Sequence, residues 1–477
     1  MTTFSAHFDL GKVQGELDFV DVHLNRDMPL FVDPFAISQM PNRWGIDAHA
    51  TLVAYFQTVI DRIREGQNDD AHRLLSFLSE PNETRLGLSR GRPQGAGIGA
   101  RQADDLFRAL SQSQAVRTGF ITSLEECELM IEGIGRDKIS DLTTNVLRGH
   151  LAVYTKIQCE LHGIPMRRVA AGPFFSIEQR NWVSEYLNLP VADNRAVLLI
   201  PKIIARYEPA YDHQFYYRHY ALEYLKVENL NANTSLVRTL KSGARRVFKK
   251  DLEARYPCTK NFLFRFSQDH PDVLSEYRNH LEAIERRGST SVVQPEDEPG
   301  LAEALQATLG AIPAGPEAAT IYHRLMIGIL EFLFFPSLLA PRKEVEIHDG
   351  RKRIDIVMEN AATTGIFSRL DTLRRLPSAY VAFECKNYTR EIANPELDQI
   401  AGRFSLNRGK IGFVLCRSFE NRTLFVERCR DTLRDDRGLV IGLDDRIVSR
   451  WLDLVEHGRR HEIDREISNL IDEVYLA

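Results

Sequence analysis

The sequence predicts a mixed α/β protein built in two parts, and three observations support this. At 477 residues the chain exceeds the length that one hydrophobic core usually supports. The stretch Arg286–Gly300 mixes Gly, Ser, Pro and acids without apolar periodicity, which is typical of a linker. Behind it, apolar runs of strand length alternate with helical patterns. We therefore predict an N-terminal region over residues 1–285, a linker over 286–300 and a C-terminal domain over 301–477.

The helices and strands of the C-terminal domain are predicted from apolar periodicity and from the residues that begin and end each run. Strand-like runs are bounded by turn residues, and helical runs begin at Pro or Asn. The expected order is αβββαβ, a hairpin followed by a crossover helix, which gives a mixed central sheet. The predicted elements are a helix Pro316–Phe335, strands Glu344–His348, Arg353–Met358 and Ala379–Glu384, a helix from Asn394 to about Phe404, a strand Ile411–Cys416, a helix Asn421–Leu433, a strand Gly438–Leu443 and two acidic helices.

The N-terminal region is predicted to be larger and mostly helical, an α+β region of one or two subdomains. Helical spacing of apolar residues appears at His49–Ile63, Asp141–Leu161, Tyr211–Leu225 and Asn233–Tyr256. The last of these carries a basic run, Arg238, Lys241, Arg245, Arg246, Lys249 and Lys250. Such a helix either binds phosphates or presents an ordinary solvated face, and the sequence leaves both open.

Composition excludes several classes of protein. The net charge of −5 argues against a general nucleic-acid coat, although residues 342–434 hold 18 Lys and Arg against 13 Asp and Glu. None of the six cysteines forms a C-x-x-C pair, which argues against a zinc knuckle or a disulfide framework and fits a reduced, cytoplasmic compartment. The longest apolar stretch, Leu325–Ala340, contains Glu331 and Pro336 and falls short of the roughly 20 residues that span a bilayer, so no membrane association is expected.

One triplet, Glu384-Cys385-Lys386, marks the candidate site. It ends the apolar run AYVAF, and the chain contains no other E-x-K triplet. Asp355 stands inside the preceding predicted strand, so both carboxylates should come from adjacent strands. Magnesium prefers oxygen ligands, and the carbonyl of Cys385 could add a third. Lys386 shares a face with Glu384 because strand side chains alternate, so its ammonium could orient a water for phosphodiester hydrolysis.

The competing interpretation is a surface salt bridge between Glu384 and Lys386, which is the usual explanation of a lone E-x-K. The apolar setting of both acids argues against it, as does Gln399 in the next helix, because perturbed charges cluster at sites. Glu331 interrupts an apolar helix, where a carboxylate without a partner is costly, whereas Glu317 lies at the helix start and is explained as a capping residue. His323 is interpreted as a packed histidine rather than a ligand.

These residues resemble the PD-(D/E)xK nuclease superfamily, the restriction-endonuclease-like fold, in its Mrr-like and RecB-like branches. The resemblance covers about residues 315–445: Glu331 in ILEFLFF, Asp355 in RKRID, Glu384 and Lys386 in FECKN, and Gln399. It implies catalytic roles for Asp355, Glu384, Lys386 and Gln399, and Mg²⁺ or Mn²⁺ held by Glu331, Asp355, Glu384 and Cys385. Ile354 replaces the proline of the family pattern. An insertion, Asn360–Ser378, carries Arg369, Arg374 and Arg375, which could contact phosphate.

The function this predicts is metal-dependent hydrolysis of DNA phosphodiester bonds, with the N-terminal region selecting or regulating the substrate. The resemblance implies a bacterial restriction or anti-phage defence endonuclease acting on double-stranded DNA, with a homodimer or a partner protein of a defence system both left open. Two alternatives remain. One is a non-catalytic nucleic-acid- or partner-binding module on a nuclease fold, and the other is an RNA-directed nuclease.

Overall fold

The computed structural model describes residues 2–78, 80–87, 100–121, 123–286, 297–347 and 352–476, with the side chains of residues 100–102 left out. The fold is mixed α/β, as predicted. Helices of the N-terminal region are Phe4–His7 (α1), Pro34–Ser38 (α2), Arg43–Arg64 (α3), Asn68–Ser76 (α4), Ala100–Gln112 (α5), Gln114–Arg117 (α6), Cys127–Met130 (α7), Arg136–His162 (α8), His213–Tyr216 (α9), Leu222–Asn231 (α10), Lys249–Arg255 (α11), Lys260–Asp269 (α12) and Pro271–Arg286 (α13).

The strands of this region are short. They are Phe31–Val32 (β1), Met166–Ala170 (β2), Phe174–Ser176 (β3), Asn181–Val183 (β4), Tyr186–Ala192 (β5), Arg195–Ala196 (β6), Ala205–Arg206 (β7), Val237–Thr239 (β8) and Arg245–Val247 (β9). They form four small antiparallel sheets, of which three contact the long helix α8, whereas the β8–β9 hairpin contacts α10. A region dominated by helices with minor sheets agrees with the prediction.

One helix prediction in this region is wrong. The segment Asn233–Tyr256 contains the β8–β9 hairpin before the short helix α11. Gly243 lies in the connecting turn at φ +80°, a left-handed conformation that ends any helix and that glycine adopts without strain. The β-branched Val237 and Val247 pair across the hairpin. The basic run therefore lies on a hairpin and the start of α11, not on one helix.

The C-terminal part is a five-stranded mixed sheet with helices on both faces. The helices are Glu298–Ala311 (α14), Ala319–Phe334 (α15), Gly365–Thr372 (α16), Asn394–Ala401 (α17), Arg422–Arg434 (α18), Asp445–Glu456 (α19) and Glu462–Tyr475 (α20). The strands are Leu338–Ile347 (β10), Lys352–Asn360 (β11), Tyr380–Lys386 (β12), Ile411–Cys416 (β13) and Leu439–Asp444 (β14).

The topology of this sheet places the candidate site. Its order is β10-β11-β12-β13-β14, antiparallel between the first three strands and parallel between the last three. This follows the element order expected from sequence, and the predicted strand Ile411–Cys416 agrees with β13 at both ends. The rings of Phe334, Phe383 and Phe413 pack together on one face of the sheet. Because side chains alternate along β12, Glu384 lies on the opposite face.

The buried apolar residues form two large clusters, called the first core and the second core. The first is built from residues between Phe4 and Leu281 together with Leu339 and Ala361. The second runs from Ala302 to Val474 and includes Leu161. Residues 287–296 of the predicted linker lie outside the described part of the chain, so that boundary stays a prediction. Among the described residues, no helix is both long and apolar enough to cross a membrane.

Charged side chains are buried where the two cores meet. We call this contact, which includes Lys202, Glu331 and Asp18, the seam. Lys202 Nζ lies 3.6 Å from Glu331 Oε2, and both side chains are almost completely buried. Asp18 accepts hydrogen bonds from the backbone of Ala340 and from the Tyr154 hydroxyl. The seam therefore joins α15 and β10 to the N-terminal region through charge as well as apolar packing.

Two further contacts extend the seam. Glu359 on β11 accepts hydrogen bonds from Asn42 at 2.9 Å and Arg342 at 2.6 Å. At Gly328 a Cβ atom would lie 2.4 Å from Lys12 Nζ and 2.5 Å from Glu16 Oε1. Glycine therefore lets α15 approach this buried ion pair, and a larger residue would displace the ends of the Lys12 and Glu16 side chains.

Candidate active site

Asp355 and Glu384 meet where β11 and β12 separate. The antiparallel pairing of these strands runs from Glu359–Tyr380 to Ile356–Phe383 and ends there. If this pairing is extended by one residue, Asp355 lies opposite Glu384. Residues directly opposite each other in a sheet have side chains on the same face of the sheet. The Asp355 carboxylate instead accepts a hydrogen bond from the Cys385 amide at 3.1 Å. The two acids therefore lie on one face of the sheet at neighbouring positions, and the sharing of one cation by their carboxylates stays a prediction.

Glu384 is fully buried and is held by three side-chain donors. Lys386 Nζ and Gln399 Nε2 donate to Oε1 at 2.8 and 2.6 Å. Arg403 donates to Oε2. Gln399 Oε1 also accepts from Lys386 Nζ at 3.3 Å, which closes a triangle of hydrogen bonds. Charge-assisted bonds of this kind keep a buried carboxylate ionised.

Helix α17 brings Gln399 to this position because it can pack closely on the sheet. Gly412 on β13 pairs with Ala382 on β12, so small residues lie side by side under the helix. A Cβ at Gly412 would come within 2.6 Å of Ile400 Cδ1. Gln399 and Arg403 are four residues apart, a spacing that places both on one side of a helical turn.

Cys385 points away from the carboxylates. Its thiol packs against the second core, and burial, followed by the Asp355 charge, raises the pKa of this thiol well above its usual value. A thiol kept protonated is neither a nucleophile nor a soft metal ligand. Only the Cys385 backbone faces the site: its amide binds Asp355, and the predicted metal contact of its carbonyl stays a prediction.

His323 on α15 lies beside Asp355. Burial lowers the pKa of His323, although the nearby Asp355 carboxylate raises it in opposition. The buried Nε2 atom of His323 has no hydrogen-bond partner among the residues that the structure describes. Sequence analysis treated this residue as a packed histidine, and nothing in its spacing indicated the contact with Asp355.

Arg403 was missed by the sequence analysis. It is buried, it binds Glu384, and the Asp355 charge acts on it as well. The signal that could have found it is the i, i+4 spacing from Gln399 at the end of α17. Asp355 and Glu384 thus face two cations, Lys386 and Arg403.

The rim of the site is basic. Lys352 Nζ donates to the Gly402 carbonyl at 3.0 Å, next to Arg403. Arg390 is largely exposed and stacks over the Tyr388 ring at 4.9 Å, and Lys386 approaches the same ring at 5.8 Å. Cations at the mouth of a carboxylate site attract phosphate.

The structure places Glu331 elsewhere. Its carboxylate pairs with Lys202 in the seam, and burial raises its pKa, as does the nearby Asp18 charge. Its contacts come from the N-terminal region and not from Asp355 or Glu384, so the structure does not bring it into the predicted metal set. A buried acid on this helix did need a partner, but the partner is a lysine 129 residues earlier in the chain.

Two of the arginines expected to contact phosphate are also occupied. Arg369 pairs with Asp464 at 3.0 Å, and Arg374 pairs with Asp472 at 2.6 Å. Both acids belong to α20, against which α16 of the insertion packs. Phe367 of α16 contacts Phe413 on the face opposite Glu384. The insertion therefore covers the back of the sheet.

A separate group of possible metal ligands lies on α19. Ligand atoms of Asp453, Glu456 and His457 lie within 4.8 Å of one another. His457 is exposed and its ring pairs with Asp453 one turn earlier, as is common on solvated helices. We therefore interpret these residues as a surface ion pair and not as a metal site.

Comparison with known proteins bears on the N-terminal region alone. A domain of unknown function, DUF8370, matches residues 9–212. No curated protein and no solved structure matches the chain. The matched range contains Asp18 and Lys202 of the seam but none of the candidate site residues.

Proposed function

We propose that the chain is a metal-dependent nuclease of the PD-(D/E)xK superfamily that hydrolyses phosphodiester bonds in double-stranded DNA. The observation that carries the proposal is that Lys386 binds Glu384 while Asp355, on the same face of the sheet, binds the Cys385 amide between them, at the point where β11 and β12 separate. The element order α15-β10-β11-α16-β12-α17-β13, in which α16 belongs to the insertion, supports a restriction-endonuclease-like core. A role in restriction or phage defence, a cytoplasmic location and a homodimer or partner protein rest on the resemblance.

The donor set fits a hard divalent cation. Asp355 and Glu384 offer carboxylate oxygens from neighbouring strands, and Mg²⁺ sites commonly use one or two carboxylates, with waters and phosphate completing the shell. Asp355 Oδ1 has no hydrogen bond among the described residues. A bound cation would neutralise charge developing on the phosphate and lower the pKa of a coordinated water.

The protein residues supply position and charge. Lys386 donates two hydrogen bonds, one to Glu384 and one to Gln399, and these fix the position of its ammonium. Its third N–H could donate a hydrogen bond to a water or to a phosphate oxygen in the site. Gln399 binds both partners, so it sets their separation. Lys352 and Arg390 at the rim favour entry of a polyanion.

One observation favours a second candidate, a non-catalytic binding module. Both oxygens of Glu384 are already bound by protein cations, Lys386 and Arg403. In a catalytic cycle the guanidinium must leave Oε2 before a cation can use it. In a binding module the Arg403 guanidinium can stay bound to Glu384. Metal-dependent turnover is therefore the property that distinguishes a nuclease from a binding module.

The deciding experiment is a cleavage assay on supercoiled DNA, linear duplex DNA and RNA, with Mg²⁺, Mn²⁺ or EDTA. Asp355→Asn and Glu384→Gln should each lower cleavage by about 10²-fold or more, because each removes charge that holds the cation. Asp398→Asn is the matched control, since this carboxylate is one residue from Gln399 but exposed and paired with Arg437.

Metal-dependent cutting of DNA, lost in both site variants and kept in Asp398→Asn, supports the proposal. Undiminished cutting by Asp355→Asn or Glu384→Gln would place the chemistry elsewhere. Cleavage of RNA alone would favour the RNA-directed alternative. Nucleic-acid binding without any turnover would favour the binding module.

A further inference from the structure

The β8–β9 hairpin concentrates positive charge outside both the matched domain and the sheet. Residues 238–250 contain six Lys and Arg and no acid. Val247 is buried in the first core and Val237 packs against it, which anchors one face of the hairpin. The other face and the turn are exposed. The hairpin thus presents cations on a fixed support.

Two of these cations face each other at a cost to the fold. Arg238 and Arg246 are directly opposite in the antiparallel register. Like charges directly opposite each other destabilise a hairpin. Both guanidinium groups lie over the Phe248 ring at 5.5 Å, which orders them side by side. Arg238 also pairs with Asp251, whereas Arg246 has no carboxylate partner among the described residues.

The neighbouring cations divide into two groups. Arg245 and Lys249 donate to backbone carbonyls of Leu230 and Arg218, so they help to hold the hairpin. Lys241 in the turn and Lys250 at the start of α11 are exposed, and the described part of the chain gives neither an ion pair. Arg246, Lys241 and Lys250 are therefore available to an external anion.

The shape and the surroundings of the hairpin favour a duplex over a lipid surface. A two-stranded ribbon fits the major groove of B-DNA, whose walls are lined with phosphates. A membrane-binding element presents a large apolar face beside its cations. Here the exposed apolar residue at the turn is Leu240, only 36% exposed.

We propose that the β8–β9 hairpin and the first turn of α11 bind the phosphate backbone of duplex DNA through Arg246, Lys241 and Lys250. This contact lies apart from the Asp355–Glu384 site and holds the substrate independently of cleavage. The choice of DNA rests on the proposed function, but binding is measured without any turnover, so either proposal can fail alone.

The test uses the full chain in EDTA with a fluorescent duplex of about 30 base pairs, a length of roughly three helical turns. Binding is measured by anisotropy across a salt series. Arg246→Gln, Lys241→Gln and Lys250→Gln are combined, and all three side chains are exposed, so thermal unfolding should match the wild type. The control combines Arg73→Gln, Arg108→Gln and Lys226→Gln, three exposed cations already paired with acids on their own helices.

The hairpin variant should bind DNA at least tenfold more weakly at low salt. Its plot of log affinity against log salt should be shallower by about 2–3, since each lost phosphate contact lowers the slope by about 0.9. The control carries the same change in net charge and should bind as the wild type does. Equal binding by the hairpin variant overturns the proposal, as does loss of binding to phosphatidylserine vesicles without loss of binding to DNA. If the chain does not cleave DNA but still binds it through the hairpin, only the proposed nuclease function is contradicted.

Discussion

Two glutamates in the C-terminal part are almost equally buried, yet their surroundings differ. Glu384 and Glu331 are 0% and 1% exposed, and each lies beside a lysine. Glu384 accepts hydrogen bonds from Lys386, Gln399 and Arg403. Neither carboxylate oxygen of Glu331 has a hydrogen bond among the described residues, and Lys202 stays at 3.6 Å.

The difference separates a site from a structural ion pair. Donors that surround Glu384 favour its charged form, the form a metal requires. Burial without donors raises the pKa of Glu331 and opposes that form. A buried acid in an apolar run therefore indicates that a partner exists, but the number and the source of its donors decide what the acid does.

The largest effect is expected when the lysine of the seam is removed, which tests whether the Glu331 pair serves stability alone. Lys202→Met leaves Glu331 and Asp18 buried with one fewer cation, and breaking a buried pair costs about 3–5 kcal/mol. The free energy of unfolding from urea titration should fall by this amount, while cleavage per folded molecule should persist. Adding Glu331→Leu should recover most of the loss, since apolar replacement of a buried pair is often neutral. A stable Lys202→Met chain would show that the seam pair contributes little.

The reciprocal change removes the lysine of the site. Lys386→Met should lower turnover by about 10²–10³-fold, comparable to losing one transition-state donor, with little change in DNA affinity. Stability should change less than in Lys202→Met, because Gln399 and Arg403 still bind Glu384. Single-turnover cleavage and urea unfolding on the same preparation measure both. Cleavage at the wild-type rate would mean that Lys386 serves packing alone.

The same comparison explains how far sequence reasoning reached. Asp355, Glu384, Lys386 and Gln399 could be selected from sequence because all four lie in regular elements within 45 residues, where local pattern predicts position. The setting of Glu331 could not be found, because Lys202 reaches it only through tertiary packing between the two cores. The hairpin was predicted as part of a helix, and the glycine at position 243, which adopts a left-handed conformation in the turn, was not recognised as its end.

Arg403 offers a sharper test of the site itself. If its guanidinium occupies the position of a cation at Glu384 Oε2, Arg403→Gln should tighten Mn²⁺ binding by about tenfold, equivalent to 1.4 kcal/mol. Calorimetry or electron paramagnetic resonance without DNA measures this directly. Arg390→Gln is the control, since it removes an exposed cation from the same rim. Weaker Mn²⁺ binding by Arg403→Gln would instead show that Arg403 positions Glu384 for the metal.

The remaining prediction concerns the effect of acid on the seam. His162 ends α8 beside Lys12, and burial, reinforced by Lys12, lowers its pKa to about 3. The unfolded chain binds a proton at this residue below about pH 6.5, while the folded chain does not until pH approaches 3. This residue's contribution to stability is therefore complete above pH 6.5 and is lost as pH falls from 6.5 towards 3, with a slope of up to roughly 1.4 kcal/mol per pH unit.

The measurement is the free energy of unfolding between pH 7 and pH 4.5 for the wild type and His162→Gln. The variant has no imidazole to protonate, so its stability should fall less steeply with acid, even if it is lower at pH 7. His457→Gln controls for loss of a histidine, because His457 is exposed and its pKa is raised by Asp453. Parallel curves for the wild type and His162→Gln would show that protonation of His162 does not destabilise the fold in acid.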